Sequence, residues 1–148
     1  MTHPAHFKAL EQMYAAAPVN EFYHPEMTVS LGTAEIEINI HEKHHHAAGA
    51  VHGSVYFKML DDAAFFAANS HETEVFVLTT SFTTYLTRPV SSGRLRSVGR
   101  VVNQNNSQWI AESVVYDGKD REIGRGNGVF VRSKLPLVQA KGYGDKPA

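Results

Sequence analysis

Hydrophobic and polar positions change their spacing along the chain, and each spacing predicts a different element. In residues 6–17 the apolar side chains recur every three or four positions, the period of an amphipathic helix that Pro18 ends. In "AEIEINI", residues 34–40, apolar and polar positions alternate strictly, which is typical of a half-buried strand. Residues 54–70 contain no Gly or Pro and predict a long helix of about four to five turns.

The second half of the chain predicts strands joined by short turns. Its apolar runs are rich in β-branched and aromatic residues, and Gly, Asn, Asp and Pro separate them. The predicted strands are 75–88, 94–104, 108–117 and 121–132. With a loop at 41–51 before the long helix, this order predicts an α+β fold. We expect the long helix to pack on one face of a curved antiparallel sheet.

Length and composition add several expectations. The 148 residues suit one domain, so 1–148 is predicted to be a single domain with a helical segment at 1–20 and a frayed tail at 133–148. A net charge of −1 gives no basic surface for nucleic acid or an anionic membrane. The absence of cysteine excludes disulfides and a thiol nucleophile. No apolar run suits a membrane helix and the start lacks a signal-peptide pattern, so we expect a cytoplasmic protein.

Two adjacent aspartates distinguish the long helix. On a helical wheel Lys58, Asp62 and Asn69 share a polar stripe, and Asp62 can pair with Lys58 four residues earlier. Asp61 lies at the border of the apolar face, where burial raises the pKa of a carboxyl and suits it to general-base chemistry. A second interpretation leaves both aspartates in solvent, with Lys58 as their partner.

The loop before this helix, "GAVHGS", offers a complementary group. Helix N-termini carry unpartnered N–H groups, and the Gly53 N–H could donate to a carbonyl oxygen that becomes an oxyanion. Gly53 could equally serve only as a tight entry turn, and either Gly53 or Ser54 could be the N-cap. A donor at the helix start and a carboxylate two turns later are together the parts of a site that hydrolyses a carbonyl compound.

Residues 45–70, "HHAAGAVHGSVYFKMLDDAAFFAANS", resemble the signature of the hotdog-fold thioesterases of the PaaI-like, phenylacetate-type branch. Gly49, His52 and Gly53 match it directly, and Asp61 follows His52 by nine residues, as the family carboxylate does. Downstream, "TTYLTRPV" and "GKDREIGRGNGVFV" also resemble family segments, so the likeness covers about residues 28–132.

The chain departs from this signature at two positions, because the family's Asn falls at His46 and its second Gly at Ser54. His46 can also donate a hydrogen bond, depending on its tautomer. The resemblance further implies a Ser or Thr on the strand after the helix, reaching the site from the partner subunit. Thr79 and Thr80 are both candidates, because a one-residue change in register would exchange their faces.

The resemblance implies an acyl-CoA thioesterase of the hotdog fold that acts as a homodimer or a dimer of dimers. Asp61 would be the general base or the nucleophile, and the Gly53 N–H would bind the thioester carbonyl. It implies no cofactor beyond the coenzyme A of the substrate, and no nucleic-acid or membrane partner. The CoA phosphates would need cations, and the available arginines are Arg88, Arg94, Arg96, Arg100 and Arg125. The aromatic candidates for an acyl pocket are Phe57, Phe65, Phe66, Phe82 and Tyr85.

Other interpretations of the same residues stay open. One is a non-catalytic hotdog module that binds acyl-CoA, which the His at position 46 allows. Another is a hydratase or dehydratase, in which His52 and Asp61 would move protons beside a carbon–carbon double bond. The run from His44 to His46 could also bind a metal, but adjacent histidines in a loop need not converge on one point. We therefore predict no metal site and expect His52 to order the loop.

Overall fold

The computed structural model describes residues 3–144, so residues 1–2 and 145–148 lie outside the described part. The described chain forms three α-helices and six β-strands. In chain order they are α1 (His3–Ala16), α2 (Asn20–Tyr23), β1 (Glu26–Ser30), β2 (Thr33–Asn39), α3 (Gly53–Asn69), β3 (Val75–Leu86), β4 (Arg94–Gln104), β5 (Gln108–Tyr116) and β6 (Glu122–Pro136).

All six strands belong to one antiparallel sheet in the order β1-β2-β4-β5-β6-β3. The strand that follows α3 therefore pairs with the last strand, which leaves β1 and β3 at the two edges. Helix α3 contacts all six strands, so the sheet curves around it. This confirms the predicted α+β architecture. Among residues 3–144, no helix is long and apolar enough to cross a membrane.

Close packing against β4 and β5 fixes the rotation of α3. A Cβ atom at Gly99 of β4 would lie 2.2 Å from the carbonyl group of Ala63, so only glycine allows this approach. From β5, the buried Ser113 hydroxyl donates a hydrogen bond of 2.7 Å to the Leu60 carbonyl oxygen. Because these contacts hold one side of α3 against β4 and β5, the side that carries Asp61 and Asp62 faces away from these two strands.

Asn69 corrects one sequence-based prediction. The helical wheel placed it in a polar stripe with Lys58 and Asp62, but the side chain is fully buried. Its Oδ1 accepts from the Val77 N–H at 3.0 Å, and its Nδ2 donates to the carbonyl oxygens of Glu72 and Val75. The buried amide satisfies backbone groups in the turn from α3 into β3, and so helps to position that strand.

The described part of the predicted frayed tail is also ordered. Strand β6 continues to Pro136, which pairs with Val75. Leu137 is then fully buried, and the Tyr143 hydroxyl lies 2.7 Å from Nδ1 of His6 in α1. The prediction is wrong for residues 133–144 because β3 offers pairing partners to the extended strand and α1 contacts the segment after that strand. The rest of the predicted tail, 145–148, lies outside the described residues.

Candidate active site

Asp61 lies where α3 meets α1 and β3. Its side chain is half-buried, and the Thr79 hydroxyl donates a hydrogen bond of 2.9 Å to its Oδ1. The pKa of Asp61 is raised from 3.8 to about 6, chiefly by burial and also by the charge of Asp62, while the Thr79 bond and Lys58 act in the opposite direction. A carboxylate with this pKa is ionised at neutral pH and still basic enough to accept a proton from water.

Asp62, one residue further along, has different surroundings. Its Oδ2 accepts hydrogen bonds of 2.7 Å from the Lys58 ammonium and from the Tyr14 hydroxyl. Lys58 also lies over the rings of Tyr14 and Tyr23, at 5.3 and 4.9 Å from their centroids. The predicted Lys58–Asp62 pair is therefore present, whereas Asp61 has no cation bound to it among the described residues. The interpretation that leaves both aspartates in solvent does not hold for Asp61.

Asp61 and Thr79 lie in the wall of a pocket of about 230 Å³. Most of the remaining wall is apolar or aromatic, and α1, α3 and β3 all contribute to it. Of the five predicted aromatic residues, the structure places Phe65 and Phe66 here. Phe57, Phe82 and Tyr85 lie outside this pocket, on or beside the exposed edge strand β3.

The strand register separates the two threonine candidates. Between the pairs Thr79–Phe130 and Ser81–Val129, β3 carries one extra residue, a β-bulge at Thr80. Thr79 reaches Asp61, whereas the exposed Thr80 hydroxyl donates instead to the Val129 carbonyl oxygen at 3.1 Å. Thr79 therefore contacts Asp61 of its own chain, although the resemblance implied a residue from the partner.

At the N-terminal end of α3, His52 is the N-cap. Its Nδ1 accepts the Ser54 N–H at 3.0 Å and lies 2.8 Å from the Ser54 hydroxyl, so neither Gly53 nor Ser54 is the cap. The side chain of His52 thus orders the loop, as expected, and does not contact Asp61. Among residues 3–144, the Gly53 N–H has no hydrogen-bond acceptor, as is usual in the first turn of a helix.

His46 and Gly49 shape the loop before α3. Gly49 has a φ of +81°, and its N–H donates to the His46 carbonyl oxygen at 3.0 Å. Its match to the family signature is therefore explained by the turn, because glycine adopts this conformation without strain. The exposed His46 side chain accepts the Ala48 N–H at its Nδ1, which leaves Nε2 free to carry a proton.

The other histidines of the run also hold the loop together. His44 is buried, accepts the His41 N–H at 3.0 Å and stacks on Tyr23. His45 Nε2 lies 2.6 Å from the Ser91 carbonyl oxygen. Within residues 3–144, no three His, Asp or Glu side chains converge closely enough to hold a metal ion.

Gly53 and Arg88 border the same open concavity, together with His46 and Leu86. Each other arginine of the chain forms an ion pair with a carboxylate. Within the part of the chain that the structure describes, Arg88 forms none, and its side chain is exposed. An unpaired guanidinium beside a free N–H makes this concavity suitable for an anionic ligand.

The two parts of the site are separated within one chain. Gly53 and Asp61 are eight residues apart in α3, which corresponds to about 12 Å along the helix axis. They also border different cavities. One carbonyl group therefore cannot contact the Gly53 N–H and the Asp61 carboxylate of the same chain.

Several pocket residues were not among the sequence-based candidates. They come from the N-terminal segment and the start of β3: Met13, Tyr14, Val19, Asn20 and Phe76. The spacing of residues 6–17 places Tyr14 on the apolar face of the predicted first helix. The signal available in the sequence was a Tyr hydroxyl on an apolar helix face. A buried Tyr hydroxyl usually needs a polar partner, so such a partner could have been expected nearby.

Comparison with known proteins agrees with this architecture. The model of the thioesterase superfamily matches residues 48–123, half of the chain. The protein therefore belongs to the thioesterase superfamily, and the predicted hotdog thioesterase family is confirmed. No curated protein matches the sequence.

Solved structures of the same fold cover most of the chain. The conserved protein PA5202 from Pseudomonas aeruginosa is 26% identical, with a TM-score of 0.74 over 83% of this chain and 98% of its own. The E. coli PaaI protein from the phenylacetic acid degradation operon is 14% identical, with a TM-score of 0.82 over 92% of this chain and 99% of its own. Thioesterase HI1161 from Haemophilus influenzae is 13% identical, with a TM-score of 0.76 over 91% and 94%.

Proposed function

We propose that the protein is an acyl-CoA thioesterase whose active site combines residues of two subunits. The observation that carries this proposal is the half-buried Asp61 carboxylate, bonded to Thr79, in the wall of an apolar pocket. Membership of the thioesterase superfamily supports thioester hydrolysis as the reaction. The separation of Gly53 from Asp61 along α3 supports a second subunit as the source of the carbonyl-binding N–H.

The edge strand β3 is our candidate for the dimer contact. Among residues 3–144, no strand pairs with its outer edge, and Leu78, Tyr85 and Leu86 are each about half exposed. Phe57 of α3 is also exposed beside this strand and packs against Phe82. Exposed edges and apolar patches of this kind are typical of interfaces. Pairing there with a second copy would bring Gly53 of the partner subunit towards Asp61.

In the proposed reaction Asp61 takes a proton from water while the water oxygen attacks the thioester carbonyl carbon. The Gly53 N–H of the partner subunit, with the helix dipole behind it, stabilises the resulting oxyanion. The tetrahedral intermediate then collapses, the carbon–sulfur bond breaks, and the CoA thiolate leaves and is protonated. Direct attack by Asp61 would instead give a mixed anhydride, which water hydrolyses to the same acid.

Thiol release from a panel of acyl-CoAs tests this function directly. We expect wild-type protein to release CoA from at least one substrate, and Asp61→Asn to lower kcat by about 10²- to 10⁴-fold. Asp62→Asn, the same change one residue along, should lower it far less, because Asp62 is already bound by Lys58 and Tyr14.

A stability measurement separates lost chemistry from lost folding. The pKa of Asp61 in the folded protein is about 6, above its ordinary value of 3.8, so ionisation disfavours the folded state increasingly as the pH rises from about 4 through 6. Asp61→Asn removes this effect, and its Tm at pH 8 should be no lower than that of wild type. Equal activity of wild type and Asp61→Asn would refute the proposal. Binding of acyl-CoA without thiol release would favour a binding module.

A further inference from the structure

The N-terminal segment forms one wall of the Asp61 pocket. Met13 and Tyr14 from α1, Ala17 and Val19 from the connection, and Asn20 from α2 all line it. These residues precede 48–123, the region that matches the thioesterase superfamily. The pocket thus combines a carboxylate from the matched region with a wall that the matched region does not contain.

Hydrogen bonds hold this wall in place. The buried Tyr14 donates to Asp62 of α3 at 2.7 Å, and the Asn20 side chain donates to the Tyr14 carbonyl oxygen, also at 2.7 Å. One turn earlier, the Glu11 carboxylate accepts the Val29 N–H of β1 at 2.9 Å. Because α1 is bonded both to α3 and to the sheet, this side of the pocket is a fixed wall.

Aromatic rings continue the wall from α1 into α3 and β3. Tyr14 packs edge-to-face on Phe66, Phe66 on Phe65, and Phe65 tilts against Phe76, each pair with centroids 5.0 Å apart. These interlocked rings have little freedom to move aside for a longer ligand. An apolar cavity of about 150 Å³ holds one benzene molecule, so the pocket of about 230 Å³ has room for a group somewhat larger than one ring.

We infer that the N-terminal segment determines acyl specificity, by limiting the pocket to a compact apolar acyl group about the size of one ring or a short chain. This inference rests on the proposed thioesterase function, because it takes the pocket beside Asp61 as the acyl site. Met13 and Val19 are the residues through which the limit can be changed. Met13 is almost fully buried in the wall, whereas Val19 is mostly exposed at its rim.

Two substitutions should change the size of the largest acyl group that the pocket accepts, in opposite directions. Met13→Ala enlarges the pocket and should raise kcat/KM for octanoyl-CoA relative to butyryl-CoA by about tenfold or more, since even one methylene in an apolar pocket is worth about tenfold. Val19→Trp narrows the rim and should lower kcat/KM for benzoyl-CoA relative to acetyl-CoA by about tenfold. Val19 is exposed, so this substitution leaves the core unchanged and remains informative if Met13→Ala folds poorly.

Val102→Trp is the matched control, because Val102 is a half-exposed valine on β4 that does not line the pocket. It should leave the preference among acyl groups unchanged. The inference is overturned if wild type hydrolyses palmitoyl-CoA as efficiently as butyryl-CoA. It is also overturned if Val19→Trp changes kcat/KM for all acyl groups by the same factor.

Binding measurements keep this test separate from the test of catalysis. Non-hydrolysable thioether analogues of the same acyl-CoAs can be titrated by calorimetry. We expect Kd to rank the acyl groups by size in the same order as kcat/KM. Met13→Ala and Val19→Trp should change this ranking of Kd in opposite directions. Absence of turnover with this order preserved would refute the proposed hydrolysis and retain the specificity assignment. Turnover that depends on Asp61 but shows no size order would support the proposed hydrolysis and refute the specificity assignment.

Discussion

The middle of α3, at Asp61, and its N-terminal end, at Gly53, differ in how much solvent they meet and in what satisfies their polar groups. Asp61 is enclosed by α1 and β3, has a hydroxyl partner in Thr79, and lies in a largely apolar wall. Eight residues earlier, the Gly53 N–H has no acceptor within residues 3–144 and faces an open concavity beside the unpaired Arg88. The middle of α3 therefore resembles a protein interior, and its N-terminal end resembles an anion-binding surface.

This difference matches the two parts of an acyl-CoA. A compact acyl group and a proton transfer both benefit from exclusion of water, which raises the pKa of the carboxylate that accepts the proton. The thioester oxygen and the phosphates of CoA need donors and cations that approach from solvent. A single helix can serve both needs at its N-terminal end and at its middle, provided that two copies of the chain bring Gly53 of one helix close to Asp61 of the other.

Removing the Gly53 N–H should give the largest effect at the open end. Gly53→Pro deletes this donor, and proline is well tolerated at the first position of a helix. The preceding residue, His52, already has a φ of −63° and a ψ of 141°, which suits a residue before proline. Loss of one oxyanion donor typically lowers kcat by about 10²- to 10³-fold. The measurement is kcat at saturating substrate, with circular dichroism to verify that the helix is intact.

Mixing two inactive variants tests whether the Gly53 N–H and the Asp61 carboxylate of one active site come from different chains. In a dimer of one Gly53→Pro chain and one Asp61→Asn chain, one of the two sites keeps both the N–H and the carboxylate. After subunit exchange at equal concentrations, we expect recovery to about a quarter of wild-type activity. If each site were built from a single chain, the mixture would be no more active than its components.

A smaller effect is expected from the hydroxyl that contacts Asp61. With the pKa of Asp61 raised to about 6, kcat/KM for wild type should fall as the pH decreases through that value. The Thr79 hydrogen bond stabilises the ionised form, so Thr79→Val should raise this pKa and move the acid limb to higher pH. Ser81→Val on the same strand is the control. If the acid limb of the kcat/KM profile of Thr79→Val lay at the same pH as that of wild type, Thr79 would not contact the ionised base.

Local patterns predicted the elements well. The strand predicted at 94–104 matches β4 to the residue, and the long helix predicted at 54–70 lies within one residue of α3. The position of Asp61 at the border of the apolar face also follows from the helical wheel, because 100° per residue is a property of the helix itself. The distance between Gly53 and Asp61 likewise follows from the helical rise of about 1.5 Å per residue.

Contacts between distant segments were not predictable in this way. The choice of Thr79 over Thr80 depends on a bulge that exists only because β3 pairs with β6. The Tyr14–Asp62 hydrogen bond joins residues 48 positions apart, so no local period indicates it. The wheel could not indicate the burial of Asn69, because the residues that bury it belong to the turn into the following strand. Each failure concerns a side chain whose surroundings come from another element.

The smallest expected effect concerns Arg88. It tests whether the open concavity at Gly53, unlike the enclosed pocket at Asp61, binds the charged part of the substrate. If its guanidinium contacts a CoA phosphate, Arg88→Ala should raise KM by about two- to fivefold, because exposed charge pairs contribute little. The kcat should stay unchanged, and the KM of the variant should depend less on salt than that of wild type. Arg125→Ala is a matched control, since that arginine is bound by Glu122. A thioester of pantetheine lacks the nucleotide and should bind wild type and Arg88→Ala equally, whereas a raised KM for this substrate too would indicate that Arg88 acts on the loop around Gly53.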